Sequence, residues 1–229
     1  MKSIYKLAFM ISSLLIVCIL GGCADSGSHR DNEYLIRLGD RVVTVFDFTK
    51  AFEISKTAYP YDIMKNPRLG GEAQLRLLNQ MIEEMILLER AKELQIYISD
   101  SELEESIADI KADYPEGVFE ETLLEHAVSY HSWKEGLKNR LIKEKVISEE
   151  LEANITITHD DISKYYKEHY GKEGLQSGAK EGIEDKSELI IKNLRRKKAE
   201  EAYTSWIKDL QTRYTIEINR AQWEKIFGL

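Results

Sequence analysis

Residues 72–95, EAQLRLLNQMIEEMILLERAKELQ, carry the strongest helical pattern in the chain. At 100° per residue, Leu75, Leu77, Leu78, Met81, Ile82, Met85, Ile86, Leu88 and Ala91 cover roughly 220° of the circumference, well beyond the stripe of a helix lying on a protein surface. Such a helix must be covered from more than one side, so it is expected at the centre of a helical fold. Nothing in the rest of the chain opposes this. Only Pro60, Pro67 and Pro115 occur, which permits long uninterrupted helices, and 43% hydrophobic with 31% charged residues is ordinary for a soluble helical protein.

The flanking segments fit the same mostly α class, with a small β element. YLIRL (34–38) and RVVTV, separated by Gly39-Asp40, read as two short strands around a tight turn. Thr44 with Asp47, Ser99 with Glu102 and Thr158 with Asp161 have the spacing of capping boxes, in which a hydroxyl and a carboxylate three residues apart satisfy free backbone N–H groups. They predict helices opening near Val45, Asp100 and His159. Residues 58–71, with two prolines and a Gly-Gly pair, predict a loop holding at most one helical turn. A short helix is expected over 118–126, a long one over 129–151 bearing Trp133, Leu137, Leu141 and Val146, and another over 187–213. The RRKK run at 195–198 reads as a solvated face. YTIEIN (214–219) alternates as a strand does.

The N-terminus carries an address. Lys2 and Lys6 precede an apolar run from Leu7 to Leu20, the pattern of a secretion signal, and fourteen residues fall short of the roughly 20 needed to cross a bilayer. Leu20-Gly21-Gly22-Cys23 resembles the lipobox of bacterial lipoproteins, in which Cys23 is lipidated and becomes the new N-terminus. Residues 1–22 are therefore expected to be a signal peptide and 23–33 a lipidated, polar tether. Ala24 after Cys23 resembles an outer-membrane sorting context. Cys18 lies in the removed segment, leaving no disulfide in the mature chain. Lys2 and Lys6 leave with the signal, so 32 basic residues become 30 against 40 acidic ones. A net charge of -10 argues against a nucleic-acid partner, because phosphate contacts need a basic surface.

The order TVFDFTKAF, LLNQMIEEMILLERAKELQIYISDSELEESI, YPEGVFEETLLEHAVSYHSWKEGLKNRLIKEKV, ITITHDDISKYYKEHY resembles the N-terminal chaperone region of the SurA and PrsA family of parvulin-type foldases. KNLRRKKAEEAYTSWIKDLQTRYTIEIN resembles the helix and strand that return to that region after the isomerase domain. The resemblance implies one discontinuous helical chaperone domain, 34–169 plus 187–229. It also implies that 170–186, YGKEGLQSGAKEGIEDK, is a linker where the parvulin domain would be inserted. Seventeen residues are far too few for a parvulin domain, since chains under about 40 residues rarely bury enough surface to fold. The implied role is a chaperone without isomerase activity.

No other chemistry is legible. His29, His126, His131, His159 and His169 form no paired metal-ligand motif, no nucleophile elbow or phosphate loop occurs, and no cofactor is implied. The acid pairs, Glu83-Glu84 among them, read as solubilising helix-surface carboxylates. Binding remains. Methionine and aromatic side chains adapt to varied apolar partners, which points to Tyr59, Tyr61 and Met64 in the loop, Met81 and Met85 on the central helix, and Tyr165, Tyr166 and Trp206 beside the linker; Met81, Met85 and Trp206 also suit a core. The expected partners are unfolded or assembling secreted and outer-membrane proteins, bound without ATP by a lipid-anchored protein facing the periplasm. A second reading is a structural adaptor docking one dedicated partner in an envelope secretion or assembly machine.

Overall fold

The computed structural model describes residues 34–60, 66–170 and 183–227. Strand β1 (Tyr34–Leu38) is central to a three-stranded antiparallel sheet of order β2-β1-β3, between β2 (Arg41–Thr44) and β3 (Ile216–Ile218). Ile36 is aligned with Val43 on one side and Ile218 on the other. Gly39, at φ +55°, turns β1 into β2 through the left-handed region that glycine enters without steric cost. The C-terminal strand thus returns to the N-terminal one.

Helix α1 (Val45–Lys56) opens on the expected capping box: the Asp47 N–H donates to Thr44 Oγ1 at 3.1 Å, and the Thr44 N–H donates to Asp47 Oδ2 at 3.0 Å. The second box opens α3 (Asp100–Ala112), where the Ser99 N–H donates to Glu102 Oε2 at 2.8 Å. Between them lies the central helix α2, which spans Pro67–Leu94 and so begins inside the expected loop. Asn66 Oδ1 accepts from the N–H groups of Arg68 and Leu69, and Pro67 at the first helical position lacks only an N–H that would have no partner there. Gly70 and Gly71 are therefore helical rather than a break. A Cβ on Gly71 would meet the Phe227 ring at 3.5 Å.

On α2, Leu77, Leu78, Met81, Ile82, Met85, Ile86, Leu87, Leu88 and Ala91 are buried, whereas Leu75 is 44% exposed. Helices α4 (Val118–Glu125) and α5 (Tyr130–Glu150) follow. Together with α3 they enclose a core of Ile98, Leu103, Ile107, Phe119, Trp133 and Leu137. Phe119 sits edge-on to both Trp133 (4.8 Å) and Tyr114 (5.5 Å), geometries that add to burial by aligning ring edges with ring faces.

The sequence patterns gave no warning of α8 (Arg220–Phe227). Asn219 starts it, its Oδ1 accepting from the Gln222 N–H at 3.2 Å, while its own N–H donates to Leu35 O. Trp223 then meets Phe48 edge-on at 5.7 Å and Phe227 at 4.1 Å, so the helix packs its apolar edge onto β1 and α1. These elements form a first compact unit, comprising the described residues up to Glu144 and those from Arg213 on.

The second unit is Lys145–Thr212. It holds the end of α5, a 3-10 turn (Glu152–Asn154), α6 (His159–Tyr170) and α7 (Ile183–Gln211). The third capping box forms at α6, with the Asp161 N–H donating to Thr158 Oγ1 at 3.2 Å, and Lys198 Nζ of α7 reaches Asp161 Oδ2 at 2.6 Å. Helix α7 begins at Ile183, so residues 183–186, expected in the linker, are helical. Residues 171–182 of that stretch lie outside the described set.

Candidate client-binding surface

Helix α1 buries Phe48, Ala51 and Ser55 along one face. Phe46 lies about 160° around the helix from Phe48, so the residue that follows the cap region by two positions is turned outward and is 73% exposed. On the same helix Phe52 is half-buried, stacked 6.3 Å from Phe48, with Lys56 Nζ 5.4 Å above its ring. Tyr59 follows, half-buried, with the Arg76 guanidinium 5.9 Å from its ring centroid. These groups and Leu75 offer apolar and aromatic contact on the first unit.

Two further side chains of that unit are as open as Phe46. Tyr97, in the segment joining α2 to α3, is 71% exposed, and Leu124 on α4 is 79% exposed. Leu124 lies about 140° from the buried Phe119 and is flanked by Glu120, Glu121 and Glu125. Nothing in a two-state periodicity reading distinguishes Leu124 from its half-buried neighbour Leu123, but the angle from Phe119 does.

Of the residues the sequence singled out, Met81 and Met85 are 3% and 1% exposed, inside the core of the first unit. Tyr59 is described above. Tyr61, Met64 and Cys23 lie outside the described residues, as does the side chain of Tyr166. Tyr165 on α6 and Trp206 on α7 are half-buried members of the second unit, Trp206 with its ring 5.8 Å from that of Tyr203.

One member of the acid pairs is not a surface carboxylate. Glu84, from the middle of α2, is 5% exposed, and Lys143 Nζ of α5 lies 3.1 Å from its Oε1 with only 16% of the lysine side chain open. Oε1 has no donor in good hydrogen-bond alignment, so the attraction is chiefly Coulombic. Burial raises the Glu84 pKa above the ordinary carboxylate value, and Lys143 and Arg41 oppose that rise. A heptad-like sequence cannot reveal this, because a Glu three residues after Met81 reads as helix surface until a lysine from another helix is placed against it. By contrast Glu120 and Glu93 are exposed acids held low by hydrogen bonds from Lys111 and Arg90. Among the described residues no group of three His, Cys, Asp or Glu side chains could hold a metal ion, and no helix is long and apolar enough to cross a membrane.

The SurA-like N-terminal domain family matches residues 1–152. The chain belongs to that family. Relatives of this SurA-like chain include the foldase protein PrsA of Clostridium botulinum strain Langeland, 32% identical over 123 residues, which cover 51% of this chain and 34% of that protein. PrsA of C. botulinum strain 657 is 36% identical over 104 residues, covering 43% and 31%. PrsA of Clostridium acetobutylicum is 27% identical over 99 residues, covering 41% and 29%. The matched part is about a third of the length of these relatives. Among solved structures, a chain from work on the Campylobacter jejuni virulence factor PEB4 and periplasmic protein Cj1289, two SurA-like chaperones, aligns with 82% of this chain and all of its own length, at 14% identity and a TM-score of 0.49. For the SurA-like region here, the elements carrying Phe46, Tyr97 and Leu124 all fall inside the matched residues.

Proposed function

We propose that this protein is a lipid-anchored envelope chaperone that holds unfolded or assembling secreted and outer-membrane proteins without ATP and without prolyl isomerase activity. The observation that carries the reading is the placement of Phe46, Tyr97 and Leu124, each more than 70% exposed, on the unit that contains most of the SurA-like match. Large apolar groups left open on a rigid helical frame favour contact with exposed apolar segments of other chains. Binding those segments reversibly lowers the concentration free to aggregate.

Two sequence features support the finer points. The lipobox-like Leu20-Gly21-Gly22-Cys23 supports anchoring through Cys23, with Ala24 favouring the outer membrane over the inner. Twelve residues, 171–182, separate α6 from α7, too few to fold an inserted domain. The domain boundaries follow: signal peptide 1–22, tether 23–33, and a chaperone domain whose C-terminal strand closes the N-terminal sheet. In this proposal Tyr59, Tyr61, Met64, Tyr165, Tyr166 and Trp206 contact client chains in addition to Phe46.

The test is suppression of aggregation. The form lacking residues 1–23, mixed with a urea-diluted outer-membrane protein, should lower light scattering at near-stoichiometric ratios; no suppression at several-fold excess refutes the chaperone role. A prolyl-peptide isomerisation assay on the same preparation should give background rates, and measurable turnover would overturn the non-enzymatic part.

A further inference from the structure

The RRKK run, read from sequence as a solvated face, is the part of the chain the chaperone role leaves unused. Residues 192–198, KNLRRKK, hold five cations and no acid in a chain of net charge -8. In the structure Ile190 and Leu194 are buried, while Lys192, Arg195 and Arg196 occupy an exposed arc on the opposite side of α7. With Glu152 of the 3-10 turn and Glu188, that arc lines an open groove of about 490 Å³. Lys198 is committed to Asp161, but Lys192 and Arg195 form no ion pair among the described residues. Arg196 approaches Glu200 only to 3.9 Å, with both side chains about 70% exposed, a pairing that solvent largely screens.

We propose that this face of α7 is a docking surface for the anionic, phosphate-bearing surface of a lipid bilayer. Charge complementarity is the first reason: three outward cations on one helical arc match a layer of phosphate headgroups, to which guanidinium groups donate paired hydrogen bonds. The second is proximity, and it rests on the proposed anchor. If Cys23 carries lipid, ten residues separate it from Tyr34, and any chain of that length spans at most about 35 Å. The fold is then held within reach of the bilayer, where an anchor and a basic patch reinforce one another as two weak signals acting together. Glu152 and Glu188 lower the charge of the groove lining from +3 to +1 without reversing its sign. Residues 100–125 alone contain ten acids and one lysine, so most of the negative charge lies in the first unit, whereas the groove lies in the second.

The experiment uses the form lacking residues 1–23, so that any membrane binding is independent of the lipid. Cosedimentation with phosphatidylglycerol vesicles in low salt should exceed that with phosphatidylcholine vesicles. The triple variant Lys192→Gln, Arg195→Gln, Arg196→Gln should partition about 100-fold less, at roughly fivefold per cation. A control neutralising Lys50, Lys208 and Lys225 should retain most of the binding. Circular dichroism of both variants should match the parent. Equal binding to the two vesicle types, or unchanged binding by the triple variant, overturns the proposal. So does binding to soluble polyphosphate without binding to vesicles, which would assign the groove to a soluble phosphate polymer. The triple variant should suppress aggregation as the parent does, so loss of vesicle binding and loss of chaperone activity are read separately.

Discussion

Replacing Lys143 with methionine should destabilise the first unit by about 3 kcal/mol, because it strands the Glu84 carboxylate in the core. The two charges lie 3.1 Å apart, with the side chains 5% and 16% exposed. At an effective dielectric of 20 that separation corresponds to about 5 kcal/mol of attraction, most of which offsets the desolvation of the two ions. Glu84→Gln should cost less, about 1 to 2 kcal/mol, since the Lys143 stem can carry its ammonium toward water. The double variant, Glu84→Gln with Lys143→Met, should return to within about 1 kcal/mol of the parent, giving a coupling of about 3 to 5 kcal/mol in a double-mutant cycle. The assay is urea unfolding followed by tryptophan fluorescence and circular dichroism. The pH dependence is a second check. The Glu84 pKa is raised in the folded state, so between its ordinary value and the raised one the native chain keeps a proton the unfolded chain has released. Its contribution is fully present below the ordinary value and is lost as pH rises through the raised one. Without Lys143 the pKa rises further. The defect of Lys143→Met should therefore shrink as pH falls from 8 toward 5. A cost below about 0.5 kcal/mol, additive single effects, or a defect constant across that range would refute the buried-pair reasoning.

Gly71→Ala should raise stability by about 1 kcal/mol and Tm by a few degrees, because a helix-interior glycine gives up backbone entropy that alanine does not, and the added Cβ meets Phe227 at an ordinary contact of 3.5 Å; calorimetry showing a loss would mean that α8 packs more tightly there. Asp161, held down to about 2 by Lys198 and by the Thr158 hydrogen bonds, contributes stability that is present above its ordinary pKa near 3.8 and lost as pH falls through 2. Acid unfolding of Asp161→Asn should lack that component of the transition. The triple Phe46→Ser, Tyr97→Ser, Leu124→Ser should leave the unfolding free energy within about 1.5 kcal/mol of the parent, since exposed substitutions rarely cost more than about 0.5 kcal/mol each, yet require several-fold more protein to suppress aggregation. Unchanged suppression would move the client surface elsewhere.

How much of this was legible in advance follows from the range of the forces involved. The three capping boxes form as the spacing of Thr44 and Asp47, Ser99 and Glu102, and Thr158 and Asp161 implied, because a cap is a local hydrogen-bond cycle closed within three residues. The central helix was legible from its apolar arc, although its first turn was hidden: Pro67, Gly70 and Gly71 look like breakers until Asn66 caps them and Phe227 fills the space over Gly71. Helix α8 was missed for a related reason. Trp223 and Phe227 form an apolar edge too short to register alone, and it matters only because Phe48 and β1 are there to receive it.

The candidate surface divides along the same line. Sequence selected Met81, Met85 and Trp206 by residue type, and type does not distinguish a methionine that fills a core from one that meets a partner; the packing of α2 buried both methionines. It overlooked Phe46 and Leu124, whose exposure depends on which side of each helix the core occupies. The sequence by itself determined the helical class, the caps, the address-like N-terminus and the family, since these rest on contacts within a few residues or on the order of segments. Only the tertiary structure decided that Glu84 is buried against Lys143, that the last helix closes on the first strand, and that Lys192, Arg195 and Arg196 share an open face. Each of those depends on a partner distant along the chain or on which side of a helix is covered, and local periodicity carries neither.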